Sequence, residues 1–144
     1  MSERSAYEHV IKRAMTKLLV PFIQLFAFYV IAHGDIGPGG GFQGGVILGA
    51  GFILYVITFG MNEGRKRISR ITSDLLSAAG VLVYATVGFV CMAAGGHYLE
   101  YAALPFSSPQ LAGHLAIFVI ELGVGITVAG VMITLYFLIG RELK

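Results

Sequence analysis

The amino-acid sequence predicts an all-α membrane protein with four transmembrane helices and both termini cytoplasmic. Three observations carry this. The 144 residues are 56% hydrophobic, with a mean hydropathy of +0.80. Only 12% are charged, about half the ~25% usual in a soluble domain. Four apolar runs, at about residues 15–32, 42–61, 75–94 and 114–139, are each long enough to cross ~30 Å of hydrocarbon with some tilt. The cations set the orientation. Arg4, Lys12, Arg13 and Lys17 lie at or before the start of the first run, Arg65, Lys66, Arg67 and Arg70 between the second and third, and Arg141 and Lys144 after the fourth. Segments 33–41 and 95–113 hold no Lys or Arg. The positive-inside rule therefore puts the basic loop 62–72 in the cytoplasm and the loops 33–41 and 95–113 outside. Residues 1–144 form a single membrane domain.

In chain order, residues 1–14 are polar. Tyr7, Val10, Ile11 and Met15 recur there at helical spacing, as in a short interfacial helix. In the first span, Lys17 sits where it can snorkel to the headgroups, and Pro21 favours a kink. Lys17, Pro21, Gln24 and Phe28 share one face. Gln24 is the deepest polar side chain of that span, so a hydrogen bond to a neighbouring helix is its expected role.

Residues 33–45 follow, His-Gly-Asp-Ile-Gly-Pro-Gly-Gly-Gly-Phe-Gln-Gly-Gly, with seven glycines in thirteen positions. Ordering so much glycine is unfavourable unless the chain needs unusual φ angles or close approach. A wide turn between two helices and a close-packed or re-entrant segment against a partner protein or beside an ion path both fit. Non-helical backbone at membrane depth survives only where protein or water satisfies it. The second span opens with Gly45-x-x-x-Gly49, a pattern for close helix packing in lipid. Gly39-x-Gly41-x-x-Gly44 matches a dinucleotide fingerprint in letters only, because a membrane span rather than a strand precedes it. The third span has Thr72 or Ser73 as its expected cap, with Asp74 in its first turn. The tyrosines of loop 95–113 read as interfacial anchors.

The composition excludes several functions. The net charge of +2 comes from cations at span ends, not from a patch that would grip nucleic acid. Cys91, the single cysteine, lies inside an apolar run and has no partner for a disulfide. No nucleophile triad, carboxylate pair or metal-ligand cluster can be argued from spacing. The sequence therefore implies no enzyme acting alone and no cofactor.

Glu121 is the one acid deep in a span, seven residues and thus about 10 Å inside the fourth. An ionised carboxylate at that depth is unfavourable unless paired or hydrated. His114, seven residues earlier, shares its face. The pair either hands a proton or cation partway into the membrane or holds a neighbouring helix. His33 and Asp35, at the start of the glycine-rich segment, are candidates for the entrance to such a route, as are His97 and Glu100 with less specificity. Nearly opposite Glu121 on the same helix runs a stripe of Gly123, Thr127, Gly130 and Thr134. Small residues so spaced invite another helix. The fourth span thus meets protein or water on both sides, which favours a subunit of something larger.

With Gly37-Pro38-Gly39-Gly40-Gly41-Phe42-Gln43-Gly44-Gly45 followed by an apolar span, the sequence resembles the B subunit (MrpB or MnhB) of the multi-subunit Mrp-type sodium/proton antiporters. The resemblance covers most of the chain. It implies one subunit of a hetero-oligomeric complex in a prokaryotic cell membrane that exchanges Na+ for H+, with the other Mrp subunits as partners. It also implies that Pro38, Phe42 and the surrounding glycines matter for assembly or transport. Glu121 is not carried by the motif. Related B-like subunits also occur in membrane-bound hydrogenases and similar respiratory complexes, so a redox-driven pump is one alternative and a purely structural assembly subunit another.

Overall fold

The computed structural model describes residues 3–34 and 36–142, and among these there is no strand. Four long helices follow one another: α1 (Glu3–Ala32), α2 (Gly41–Phe59), α4 (Arg70–Ala93) and α5 (Pro109–Glu142). A short helix α3 (Met61–Arg67) stands between α2 and α4, and a 3₁₀ turn (Tyr101–Ala103) between α4 and α5. All four long helices are long and apolar enough to cross a membrane, over Tyr7–Ala32, Gly41–Phe59, Arg70–Ala93 and Pro109–Gly140.

Several boundaries differ from the sequence-based expectation, and polarity explains why. α1 continues back through the polar N-terminal segment as one 30-residue helix, which hydropathy alone ends early. It also continues through Pro21. The basic segment 62–72 is not a loop throughout: α3 occupies most of it, and α4 already begins at Arg70. The cap of α4 is therefore Ser69, whose Oγ accepts the Thr72 N–H at 3.1 Å, rather than Thr72 or Ser73. Asp74 falls outside the first turn. α5 starts at Pro109, five residues before the expected start of the fourth span.

The helices pack in a row, α1 on α2, α2 on α5 and α5 on α4. α1 and α2 run antiparallel. Gly44 lies against Ala27 and Ile31, Gly51 against Ile23, and the hydroxyls of Thr16 and Thr58 are 2.9 Å apart. α4 and α5 are likewise antiparallel, with Gly80 against Gly123 and Thr127, and Gly130 against Ser73 and Ser77. α2 and α5 therefore run parallel, Gly45 meeting Gly125 and Val128, and Gly49 meeting Met132. At the far end of this pair, Phe52, Val56, Ile133 and Phe137 form a buried cluster. The start of α1, the end of α5 and all of α3 thus lie at one end of the row, which is the basic end.

The small, weakly polar stripe of α5 is the face that takes α4. There the Thr134 hydroxyl lies 2.8 Å from Ser73 Oγ and 3.0 Å from Asp74 Oδ1. Ser73 is fully buried. Thr134→Val keeps the shape and removes the donor. It is expected to lower stability by ~0.6–1.7 kcal/mol, the range for hydrogen bonds between membrane helices. Thermal unfolding in detergent checks this, with Thr134→Ser restoring most of the loss.

Candidate functional site

The segment between α1 and α2 folds tightly. Ile36 N–H and Gly37 N–H both donate to the His33 carbonyl at 3.1 Å, and Gly40 N–H donates to the Val30 carbonyl at 3.3 Å. Gly39 and Gly40 have φ of 146° and 116°, which L side chains rarely adopt. α2 then begins at Gly41 with Gly40 as its cap, and it has neither a side-chain cap nor an acid in its first turn. A helix start of this kind leaves unsatisfied N–H groups and a partial positive charge.

The missing carboxylate comes from α5. The Gly41 N–H donates to Glu121 Oε2. The glycines make room for it. A Cβ on Gly34 would stand 3.0 Å from Glu121 Cδ, one on Gly40 2.8 Å from Oε1, and one on Gly41 would run into the Glu121 main chain. Two features that sit 80 residues apart in sequence, the glycine-rich segment and the lone deep acid, are thus one site. Glu121 lies twelve residues past Pro109, about 18 Å along the helix at ~1.5 Å per residue. α2 starts at that same level. The segment joins the two helices and is close-packed against the chain's own α5.

The rest of the glycine motif grips neighbouring helices. Gly37 lies on the His33 ring, which stacks on Tyr29 at 5.4 Å between centroids. Gly39 lies on Val30, Gly44 on Ala27 and Ile31, Gly45 on Gly125 and Val128, and Gly49 on Met132. Pro38, Phe42 and Gln43 are exposed instead, Phe42 at 61%. His114 is exposed on α5, two turns ahead of Glu121. Asp35 lies outside the described residues.

Other expected positions are placed elsewhere. Gln24 is half-buried on α1 and forms no hydrogen bond among the described residues; the α1–α2 hydrogen bond is made by Thr16 and Thr58. Lys17 lies over the Phe59 ring. His97 and Glu100 turn towards each other in the loop after α4, with the His97 backbone N–H 2.7 Å and its Nδ1 2.9 Å from Glu100 Oε2. The backbone N–H first, then the imidazole, hold the Glu100 carboxyl below the usual carboxylate range. In the same loop Tyr98 folds back onto Gly88 and packs edge-on against Tyr84 and Phe89, so contacts with α4 hold it.

Comparison with known proteins gives one consistent result. The family model described as "Domain related to MnhB subunit of Na+/H+ antiporter" matches residues 11–134. A protein of Staphylococcus epidermidis (strain ATCC 35984), named for an antiporter subunit, mnhB2, is 34% identical over 128 residues, 87% of this chain and 89% of its own. Its namesake in Staphylococcus haemolyticus is 33% identical over 129 residues, 88% and 90% of the two chains. That of Staphylococcus aureus strain Newman is 34% identical over 127 residues, 87% and 89%.

Proposed function

The chain belongs to the MnhB family of Na+/H+ antiporter subunits, and from this we propose that its joint between Glu121 and the start of α2 forms part of the ion path of such a complex. It is a multi-pass subunit of a prokaryotic membrane antiporter, and its partners are the other subunits. The cation distribution supports an orientation with the basic end, and so both termini, in the cytoplasm. The glycine-rich segment then opens to the outside. The chain's part is ion movement and assembly rather than covalent chemistry.

The observation that carries this reading is the Glu121 carboxylate on the Gly41 N–H. The helix start holds the carboxylate by hydrogen bond and by dipole. A proton or Na+ that reaches Glu121 competes for the same oxygens. Occupancy of the acid is thereby linked to how tightly the α1–α2 segment seats on α5. His33 at the head of that segment, Asp35 within it and His114 two turns above are proposed to lead ions to the site.

Glu121→Gln tests this. A glutamine carbonyl still accepts from Gly41, but the side chain carries neither charge nor exchangeable carboxyl proton. Na+/H+ exchange in inverted membrane vesicles is expected to fall by about tenfold, the factor corresponding to ~1.4 kcal/mol, with the complex assembled. Full exchange by this variant would show that Glu121 fastens the subunit and carries nothing.

A further inference from the structure

At the basic end of the row, three cations gather around two stacked rings. Tyr55 and Phe59 lie one turn apart on α2, with centroids 4.6 Å apart. The Arg67 guanidinium sits over Tyr55 at 5.0 Å, and its Nε donates to the Tyr55 hydroxyl at 3.1 Å. Arg13 and Lys17 of α1 both lie over Phe59, each 5.8 Å from its centroid. Beside them a cavity of about 250 Å³ opens between α1 and α2. Lys17, Gln24, Tyr55 and Arg67 form its polar wall, and Val20 and Phe52 are among its apolar lining.

Among the described residues none of these three charges has an ion-pair partner. The ion pairs among the described residues are Lys66–Glu63, Arg70–Asp74 and His97–Glu100, none of which uses Arg13, Lys17 or Arg67. Glu63 lies within range of the Arg67 charge, but its carboxylate is held by Lys66 at 2.6 Å. Like charges so placed repel one another. Ring faces offset only a part of this, on the order of 0.5–1 kcal/mol for each exposed contact. The cluster stands level with the last turn of the α2 span, since Thr16 on α1 meets Thr58 on α2. That is where a bilayer presents its phosphates.

We infer that this cavity binds the phosphate of an anionic phospholipid, with Lys17 and Arg67 on the phosphate oxygens and the glycerol end against Val20 and Phe52. The combination of cationic rim and apolar wall between two spanning helices favours a lipid over an acidic protein segment, which would need no apolar wall. Basic pockets between spans are general headgroup sites. From one turn before Pro21, Lys17 can snorkel to the headgroup level that such a site requires.

The antiporter complex, purified in mild detergent from its own membranes, tests this by native mass spectrometry with phosphatidylglycerol or phosphatidylcholine added back. Phosphatidylglycerol is expected to be retained in preference. Lys17→Gln with Arg67→Gln should weaken that retention by about tenfold. Arg65→Gln with Lys66→Gln removes as many charges from the same end but outside the cavity, and should leave retention unchanged. Equal retention by both pairs overturns the inference. So does displacement of the bound lipid by inorganic phosphate at equal concentration, which would make this a free-phosphate site. Loss of a partner subunit with lipid retention intact would assign the cluster to an acidic partner segment instead. A photoreactive phosphatidylglycerol on the unmodified complex gives a second readout that needs no variant to fold. Label on α1 near Lys17 or on α3 near Arg67 supports the site, and label confined to other parts of the chain overturns it.

Discussion

Gly45→Val is expected to remove the subunit from its complex. A Cβ at Gly45 would stand 2.7 Å from the Gly125 carbonyl oxygen, 2.9 Å from Val128 Cβ and 3.0 Å from Gly125 Cα. Two of those three atoms are backbone and none is the end of a flexible side chain. The added bulk can be accommodated only by moving α2 away from α5. Overpacking of this kind costs about 1–3 kcal/mol, and more where the neighbours cannot yield. Here it acts at the contact that joins the α1–α2 pair to the α4–α5 pair. The subunit level in membranes, and the partners recovered with it, should both fall several-fold, by the ~1.4 kcal/mol per factor of ten that governs such equilibria. Gly113→Ala is the matched control. It also lies within a helix, but a Cβ there meets nothing within 4 Å. It should be neutral or slightly stabilising, because alanine favours a helix by up to ~1 kcal/mol over glycine. Normal assembly of Gly45→Val would mean that α2 and α5 are not held together through this contact.

Glu121→Ala is expected to abolish exchange and to weaken assembly as well, unlike Glu121→Gln. Alanine leaves the Gly41 N–H without its acceptor, and Gly41 is buried. An unsatisfied buried donor costs about 1–3 kcal/mol. The positive end of α2 also loses the charge that faces it. Gly34 and Gly40, which close over the carboxylate, would face a void. Thermal stability of the complex should fall with alanine and hold with glutamine, while exchange falls with both. Glu121→Asp separates the two roles further. It keeps a carboxyl group but draws it back by one methylene, so the fastening to Gly41 is lost and the ion-carrying group remains. If aspartate preserves stability yet eliminates exchange, the reach to Gly41 is irrelevant to fastening and the joint has been misread.

The relation between Glu121 and the glycines shows where sequence reasoning reaches its limit. Each half was visible. The run from Gly34 to Gly45 signalled close approach by something, and Glu121 signalled a partner by its depth. A further signal was present in the start of α2, which has no Ser, Thr, Asp or Asn cap and no acid in its first turn. A helix start without its own acceptor and a carboxylate deep in a span complement each other. Nothing in the order of residues says that they lie at the same level, because that depends on where α5 begins. Hydropathy finds the centre of a span well and its polar first turns badly. It placed that start at His114, and helix geometry places it at Pro109. The same weakness moved the cap of α4 to Ser69 and hid α3 within the basic segment.

By itself the sequence determined what depends on neighbours along the chain. A long apolar stretch must close its own backbone hydrogen bonds in lipid, so four such stretches mean four helices. Small residues three and four apart must share a face, so Gly123, Thr127, Gly130 and Thr134 had to meet another helix, as they meet α4. The family membership lay in the glycine motif and in the whole length of the chain. Only the tertiary structure decided which helix meets which, that α2 and α5 run side by side in the same direction, and that Glu121 meets the start of α2. It also decided that Arg13, Lys17 and Arg67 converge on one pair of rings. The physical reason is the same in each case. These contacts join residues from 12 to 80 positions apart, and their geometry follows from packing between helices, which no local pattern records.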